Sequence, residues 1–205
     1  MRYIELKEHF KDFILFSLQD IRKFDLYFHR RRLSEWKEKG YIKPIVNGSY
    51  IFADQEPDEN RLFFIANRIY RPSYISLEAA LAYYGFIPEA VFSTTSVSTR
   101  KTKTFATFYG KMIYRHIHPR CFFGYRLVEF GDFRFKIATP EKAVLDFLYL
   151  NPRLKRREDI EELRFNREEV REKVDKDRFT KLSHRFNQQS LRKRAKLWIE
   201  VIYHA

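Results

Sequence analysis

Leu6, Phe10 and Phe13 recur at i, i+4 and i+7, the spacing that gives a helix one buried face. A second, short helix is predicted after Ser17. There Ser17-Leu18-Gln19-Asp20 is a capping box, whose hydroxyl and carboxylate each take a backbone N–H that the helix start leaves free, and Leu18 and Ile21 supply a buried edge. Asp25 can cap a third helix, with Leu33 and Trp36 at i,i+3, that stops at Gly40, where a left-handed residue costs little. Residues 41–46 and 49–52 are β-prone runs joined by Asn47-Gly48, the dipeptide that favours a type I′ hairpin turn. Three helices and then a hairpin predict a winged helix-turn-helix over residues 1–55.

The polar positions of the third helix suggest what that unit does. At roughly 100° per residue, Leu26, Leu33 and Trp36 share the inward face with His29, while Tyr27, Arg31 and Ser34 lie opposite and Arg30 and Arg32 flank them. Arginines near the start of a recognition helix reach guanine edges or clamp phosphates. Double-stranded DNA is therefore the expected partner, met by Tyr27, Arg30, Arg31, Arg32, Ser34 and Lys37, with Asn47 and Gly48 at the wing tip. The plainer alternative is a solvated helix face whose charge is balanced by Glu35 and Glu38.

After a polar, proline-punctuated boundary at 53–60, the pattern predicts a helix over 59–69 (Leu62, Ile65, Ala66, Ile69), then Arg71-Pro72-Ser73-Tyr74-Ile75, then a helix from Leu77 to Tyr84 capped by Ser76 and ended by Gly85. From Val91 the period changes to two. A strand over 91–97 and hairpins over 104–118 and 125–138 make an antiparallel sheet of about four or five strands. Thr139-Pro140-Glu141 opens an apolar helix with an N-cap, proline at N1 and an acid in the first turn; Pro152 ends it. Residues 153–205 carry charge at helical spacing around Ile160, Leu163, Phe165, Val170, Val174, Phe179, Leu182, Phe186, Leu191, Leu197 and Ile202, which predicts three or four amphipathic helices. The expected class is α+β: an N-terminal winged helix, then a domain over 56–205 with an antiparallel sheet packed by helices and a charged helical tail.

Composition alters this picture in one respect. The 205-residue chain is 44% hydrophobic and 18% aromatic, enough for a core, and its net charge of +13 favours polyanionic partners. Yet residues 1–55 hold 11 basic and 8 acidic side chains, whereas 99–126 hold Arg100, Lys101, Lys103, Lys111, Arg115, Arg120 and Arg126 and no acid. The first six of these define a second basic surface, open to RNA, DNA or an acidic protein. Hydroxyls in the stretch 93–103 could add donors to phosphate.

Catalytic signatures do not emerge. The chain lacks a Walker loop, GxSxG and GxGxxG, and Gly48-Ser49 has no paired aspartates to serve a nucleotidyltransferase. Glu129, Asp132 and Lys136 are the nearest approach to a metal-dependent nuclease, but Asp132 falls in a predicted turn. His116-x-His118-x-x-Cys121 has metal-like spacing without an evident fourth ligand. No catalytic residue, metal or cofactor is expected. The single cysteine fits a reducing cytosol, the charged N-terminus does not read as a signal peptide, and no apolar run approaches the ~20 residues of a membrane span, so a cytoplasmic protein is expected.

The stretch Pro72-Ser73-Tyr74-Ile75-Ser76-Leu77-Glu78-Ala79-Ala80-Leu81-Ala82-Tyr83-Tyr84-Gly85 is followed by Ile87-Pro88-Glu89, by Thr99-Arg100-Lys101-Thr102-Lys103-Thr104-Phe105, by Tyr114-Arg115-His116-Ile117 and by Ala138-Thr139-Pro140-Glu141-Lys142-Ala143. With these motifs the chain resembles the AbiEi-type antitoxins, transcriptional regulators of type IV toxin-antitoxin (abortive infection, viral defence) systems. The resemblance runs from the winged helix to about Leu150; residues 153–205 share only helical character. It implies a non-enzymatic protein whose winged helix binds inverted repeats in its own promoter and whose second domain opposes a nucleotidyltransferase-like toxin without a tight complex. A nucleic-acid-processing enzyme, or an RNA- or protein-binding module using the sheet at 99–136, are the alternatives.

Overall fold

The computed structural model describes residues 1–46, 48–88 and 93–203. The chain opens with α1 (Tyr3–Phe10), β1 (Phe16–Ser17), α2 (Leu18–Arg22), α3 (Arg31–Glu38), β2 (Ile42–Pro44) and β3 (Ser49–Phe52). The strands form an antiparallel sheet in the order β1-β3-β2, with Phe16 opposite Tyr50 and Ile42 opposite Phe52. Leu6, Phe10, Phe16, Ile21, Phe28, Leu33, Trp36, Ile42 and Phe52 are its buried core. The expected capping box holds: Asp20 N donates to Ser17 Oγ at 3.3 Å and Ser17 N to the Asp20 carboxylate at 3.0 Å. Gly40 (φ +70°) ends α3 in a Schellman arrangement, with Tyr41 N donating to Trp36 O and Gly40 N to Lys37 O.

Helix α3 starts six residues later than its expected cap. Asp25 does not cap it; the carboxylate instead accepts from the Met1 amino group at 2.8 Å, and a turn closed by Phe28 N donating to Asp25 O interrupts the helix. Phe28 therefore fills the inward position assigned to Leu26 and His29, both of which are exposed. Phe13 lies beyond the end of α1 and is 41% exposed.

The remainder comprises α4 (Glu59–Ile69), β4 (Ser73–Ile75), α5 (Leu77–Tyr83), β5 (Ser93–Ser98), β6 (Lys103–Thr107), β7 (Gly110–His116), β8 (Tyr125–Phe130), β9 (Phe133–Ala138), α6 (Pro140–Leu150), α7 (Arg157–Glu161), α8 (Arg167–Lys173), α9 (Lys176–Arg185) and α10 (Gln189–Tyr203). The sheet is mixed, not antiparallel, and has six strands in the order β6-β7-β5-β4-β9-β8. β4 pairs parallel with β9, and β5 with β7. The extra strand is β4: its three residues are all buried, so no alternation marks it. β7 turns back between the edge strand β6 and β5, which makes it parallel to β5. The strand expected from Val91 begins at Ser93 among the described residues; positions 91 and 92 lie outside them.

α4 covers one face of the sheet, where Tyr114 Oη donates to Ala66 O at 2.7 Å and Phe63 meets Phe135 edge-on. α5 and α6 serve the other face. Thr95 Oγ1 donates to Ser76 O and accepts from Ala79 N, which holds α5 to β5. α9 and α10 pack onto α6, and α7 and α8 onto α10; Phe165 and Phe179 enclose the fully buried Trp198, and Arg194 Nε donates to Leu148 O at 3.1 Å. Their expected apolar stripe thus becomes a third layer. Among the described residues no helix is long and apolar enough to cross a membrane.

Between sheet and tail lies a buried polar cluster. Lys142 and Asp146, one turn apart on α6, form an ion pair with both side chains 0% exposed. Asp146 Oδ2 accepts from Tyr74 Oη at 2.9 Å and from Ser76 Oγ at 2.8 Å, and Lys142 Nζ donates to Tyr74 Oη. Ser76 sits at the N-cap of α5 but spends its hydroxyl on Asp146. Burial pushes the Lys142 ammonium down and the Asp146 carboxyl up, and each is partly restored by the other. Gly124 (φ +72°) lets the backbone lie against Lys142: a Cβ there would stand 3.1 Å from its Cγ.

Removing one member of such a pair leaves an uncompensated buried charge. Asp146→Ala should lower the unfolding free energy by about 3–5 kcal/mol in urea titrations, and the paired change Lys142→Met with Asp146→Leu should recover much of the loss. A loss below about 1 kcal/mol for Asp146→Ala would show that the cluster does not hold the fold.

Candidate nucleic-acid interface

Helix α3 owes its place to two side chains. Leu33 and Trp36 are buried, with Trp36 against Phe28 (5.4 Å between ring centroids) and edge-on to Tyr3 (5.8 Å). That fixes the outward arc at Arg30, Arg31, Ser34, Glu35, Lys37 and Glu38, all exposed. Arg30 and Lys37 lie about two turns apart on one flank, and neither has an ion-pair partner among the described residues. Arg31 is partly neutralised by Glu35 at 3.3 Å, a solvated i,i+4 pair. Arg32 points the other way and donates to the Met1 carbonyl, so it is occupied within the fold. Tyr27 is 86% exposed but sits in the α2–α3 connection, not on the helix.

The hairpin beside α3 is also partly committed. Gly48 is exposed with φ +74°, as a tight turn requires, and Ser49 N donates to Val46 O; Asn47 lies outside the described residues. At the base, Lys43 Nζ sits 4.2 Å from the Phe108 ring centroid in the β6–β7 turn, and Tyr109 Oη donates to Gln55 O at 3.3 Å. Ile14, Ile45 and Ile51 belong to the same buried core as the six-stranded sheet. One side of the hairpin is thus covered by the rest of the chain, while Gly48 stays exposed.

The second basic surface is brought together only in part. Arg100, Lys101 and Lys103 are exposed at the turn between β5 and β6. Arg100 lies over the Tyr70 ring at 4.3 Å and donates to Arg71 O, and its own carbonyl meets His116 Nδ1 at 3.0 Å. Arg71 and His116 thereby join this cationic end of the sheet, although sequence separation hid them. Lys111 is at the other end of β7, Arg115 is half-buried and donates to Leu150 O, and Arg120 lines a separate cavity of about 280 Å³ with His118 and Arg185. Of the hydroxyls in 93–103, Thr95 is spent on α5, Ser98 on Pro72 O and Arg100 N, and Thr102 on His116 N.

The residues weighed for metal chemistry are dispersed. Glu129 faces Arg134 at 3.5 Å, while Lys136 lies over Tyr125 on the neighbouring strand. Cys121 is buried, and burial raises its thiol pKa; His118 Nδ1 accepts from Arg120 N. Among the described residues no three His, Cys, Asp or Glu side chains gather to hold a metal ion. No protein-family model matches the chain, and no curated protein matches it.

The two faces of α3 should separate in stability measurements. Trp36→Ala should cost about 3–5 kcal/mol of unfolding free energy, whereas Arg30→Ala and Lys37→Ala should each stay within about 0.5 kcal/mol. A marked loss from either cation would place it in the fold, not on the free surface.

Proposed function

We propose that residues 1–55 act as a winged helix-turn-helix on double-stranded DNA, and that the chain is the autorepressor and antitoxin of a type IV toxin-antitoxin operon. The observation that carries the DNA reading is the order helix–strand–helix–helix–strand–strand, with the sheet order β1-β3-β2 and a cationic α3 beside the hairpin. A helix offering Arg30, Arg31, Ser34 and Lys37 suits a major groove, and inverted repeats in the promoter would engage two copies. Arg32 is exposed but has one guanidinium N–H on the Met1 carbonyl, which restrains its reach toward DNA.

The antitoxin half rests on the motifs that resemble AbiEi-type proteins, which run through β4, α5, β5–β7 and the start of α6. Opposition to a nucleotidyltransferase-like toxin would proceed without a stable complex. A second reading, an RNA-binding module, is favoured by the cationic end formed by Arg71, Arg100, Lys101 and Lys103.

Fluorescence anisotropy with the chain's own promoter tests the first half. Arg30→Ala should weaken binding by about 1–3 kcal/mol if it reads a base, or flatten the log–log salt slope by about one if it clamps a phosphate. Arg31→Ala should do less, because Glu35 already offsets its charge. Unchanged binding in both variants would remove α3 from the interface.

For the second half, the full chain carrying Arg30→Ala, Arg31→Ala and Lys37→Ala should lose promoter repression yet still rescue cells expressing the toxin. Point variants are preferred to truncation, because Ile14, Ile45 and Ile51 complete the larger core. Loss of rescue by this triple variant, folded and expressed at wild-type levels, would reject an antitoxicity separable from DNA binding.

A further inference from the structure

The register of the larger sheet gathers four strand ends. Ser73 lies opposite Ser98, Ser98 opposite His116 and Lys103 opposite Tyr114, so the entries to β4 and β6 and the exits of β5 and β7 share one end. Three spacings of about 4.8 Å set them in a row of roughly 14 Å. The segments there carry Arg71, Arg100, Lys101, Lys103 and His116. Arg100 ties the row together, donating to Arg71 O and meeting His116 Nδ1 through its own carbonyl. His118 and Arg120 follow within a few residues, and they share a cavity with Arg185 at the end of α9.

This band differs from the other cations of the second domain. In the tail, acids stand against Arg156, Arg157, Lys173 and Arg178. Arg71, Arg100, Lys101, Lys103, Arg120 and Arg185 are all exposed, and none has an ion-pair partner among the described residues. Residues 99–126 hold no acid at all. A one-sign band of this kind is complementary to a polyanion, whereas a solvated face mixes both signs. Except for Arg185, its cations sit on strand ends and turns. None projects from a helix or a hairpin tip that could enter a major groove, so the band suits a backbone and not the reading of a duplex.

The cavity of about 280 Å³ alongside supplies what an unpaired strand needs. Tyr149 and Phe186, 5.3 Å apart between ring centroids, give it an aromatic wall, and the exposed Asn187 and Gln188 bring side-chain amides. His118 Nδ1 accepts from Arg120 N, which leaves Nε2 to donate. Aromatic faces hold unstacked bases, and polar side chains bond their edges. We infer that one unpaired strand of RNA lies along this band, its phosphates on Arg100, Lys101 and Arg120, with one base seated in the cavity beside Tyr149 and Gln188. This site rests on the RNA-binding reading above and gives it a strand form and a base pocket.

Fluorescence anisotropy of the full chain tests it with oligo(A), oligo(C) and oligo(U) of about twelve nucleotides, the matching deoxy strands and the annealed RNA duplex. At least one ribo strand should bind saturably, more tightly than the duplex and no more weakly than its deoxy counterpart. Arg100→Ala and Arg120→Ala should each flatten the log–log salt slope by about 0.7, the share of one phosphate on a single strand. One base should be preferred about fivefold or more, the lower end of what a stacked base is worth. The double change Asn187→Gly with Gln188→Ala should erase that preference; glycine accepts the left-handed backbone of Asn187 (φ +50°) without strain. No strand binding at low salt would overturn both the inference and the RNA-binding reading. Tighter binding of duplex or deoxy strand, or binding indifferent to both arginine variants, would overturn the inference. Strand binding that depends on the arginines but shows no base preference, or keeps it in the double variant, would overturn the base pocket and leave the RNA-binding reading standing.

Discussion

The larger part of this molecule is organised around one buried ion pair. Lys142 and Asp146 occupy the first two turns of α6, with the sheet on one side and α9 and α10 on the other, and both side chains are fully buried. The cost of desolvating both ions is offset by further hydrogen bonds as well as by their attraction, and Tyr74 and Ser76 supply these from β4 and the head of α5. The consequence is register. Any other rotation of α6 over the sheet would strand a charge, so the pair admits one seating of the helix where apolar packing alone would tolerate several. Gly124 and Phe186 close the cluster from the β8 approach and from the end of α9.

That arrangement explains which parts of the architecture could be read from residues alone. The hairpin β8–β9, α4 and the cap of α6 were legible because alternation, helical spacing and Thr-Pro-Glu are local signals. β4 was not, since three buried residues in a row carry no period, and the two parallel pairings follow from it and from the return of β7. Lys142 and Asp146 look like a solvated i,i+4 pair in sequence; only the third layer turns their face inward. The burial of Trp198 is hidden for a related reason, because its partners lie elsewhere in the tail, Phe165 between α7 and α8 and Phe179 on α9.

The candidate interface was legible to about the same depth. Leu33 and Trp36 correctly fixed the buried face of α3, and with it the exposure of Arg30, Arg31, Ser34 and Lys37. The helix starts later than its spacing predicts because Asp25 has a stronger claimant in the Met1 amine, and Phe28 outcompetes Leu26 and His29 for the core. A run of three arginines is also heterogeneous: one without an ion-pair partner among the described residues, one paired with Glu35, one bound to a carbonyl. Such differences depend on what stands opposite each side chain, which spacing along one helix does not encode.

The isoleucines shared between the hairpin and the larger core have a geometric consequence. With Ile14, Ile45 and Ile51 packed into that core and Lys43 over Phe108, the α3 unit and the six-stranded sheet are joined by packing as well as by the chain. On the proposed reading, a copy seated in a groove carries its sheet at one fixed azimuth around the duplex. Two copies separated by whole turns of about 10.5 base pairs would show their cationic sheet ends on the same side, and half a turn more would set them back to back. The spacing of the operator, not any flexibility of the protein, would then determine which flank of the DNA the second domain overlooks.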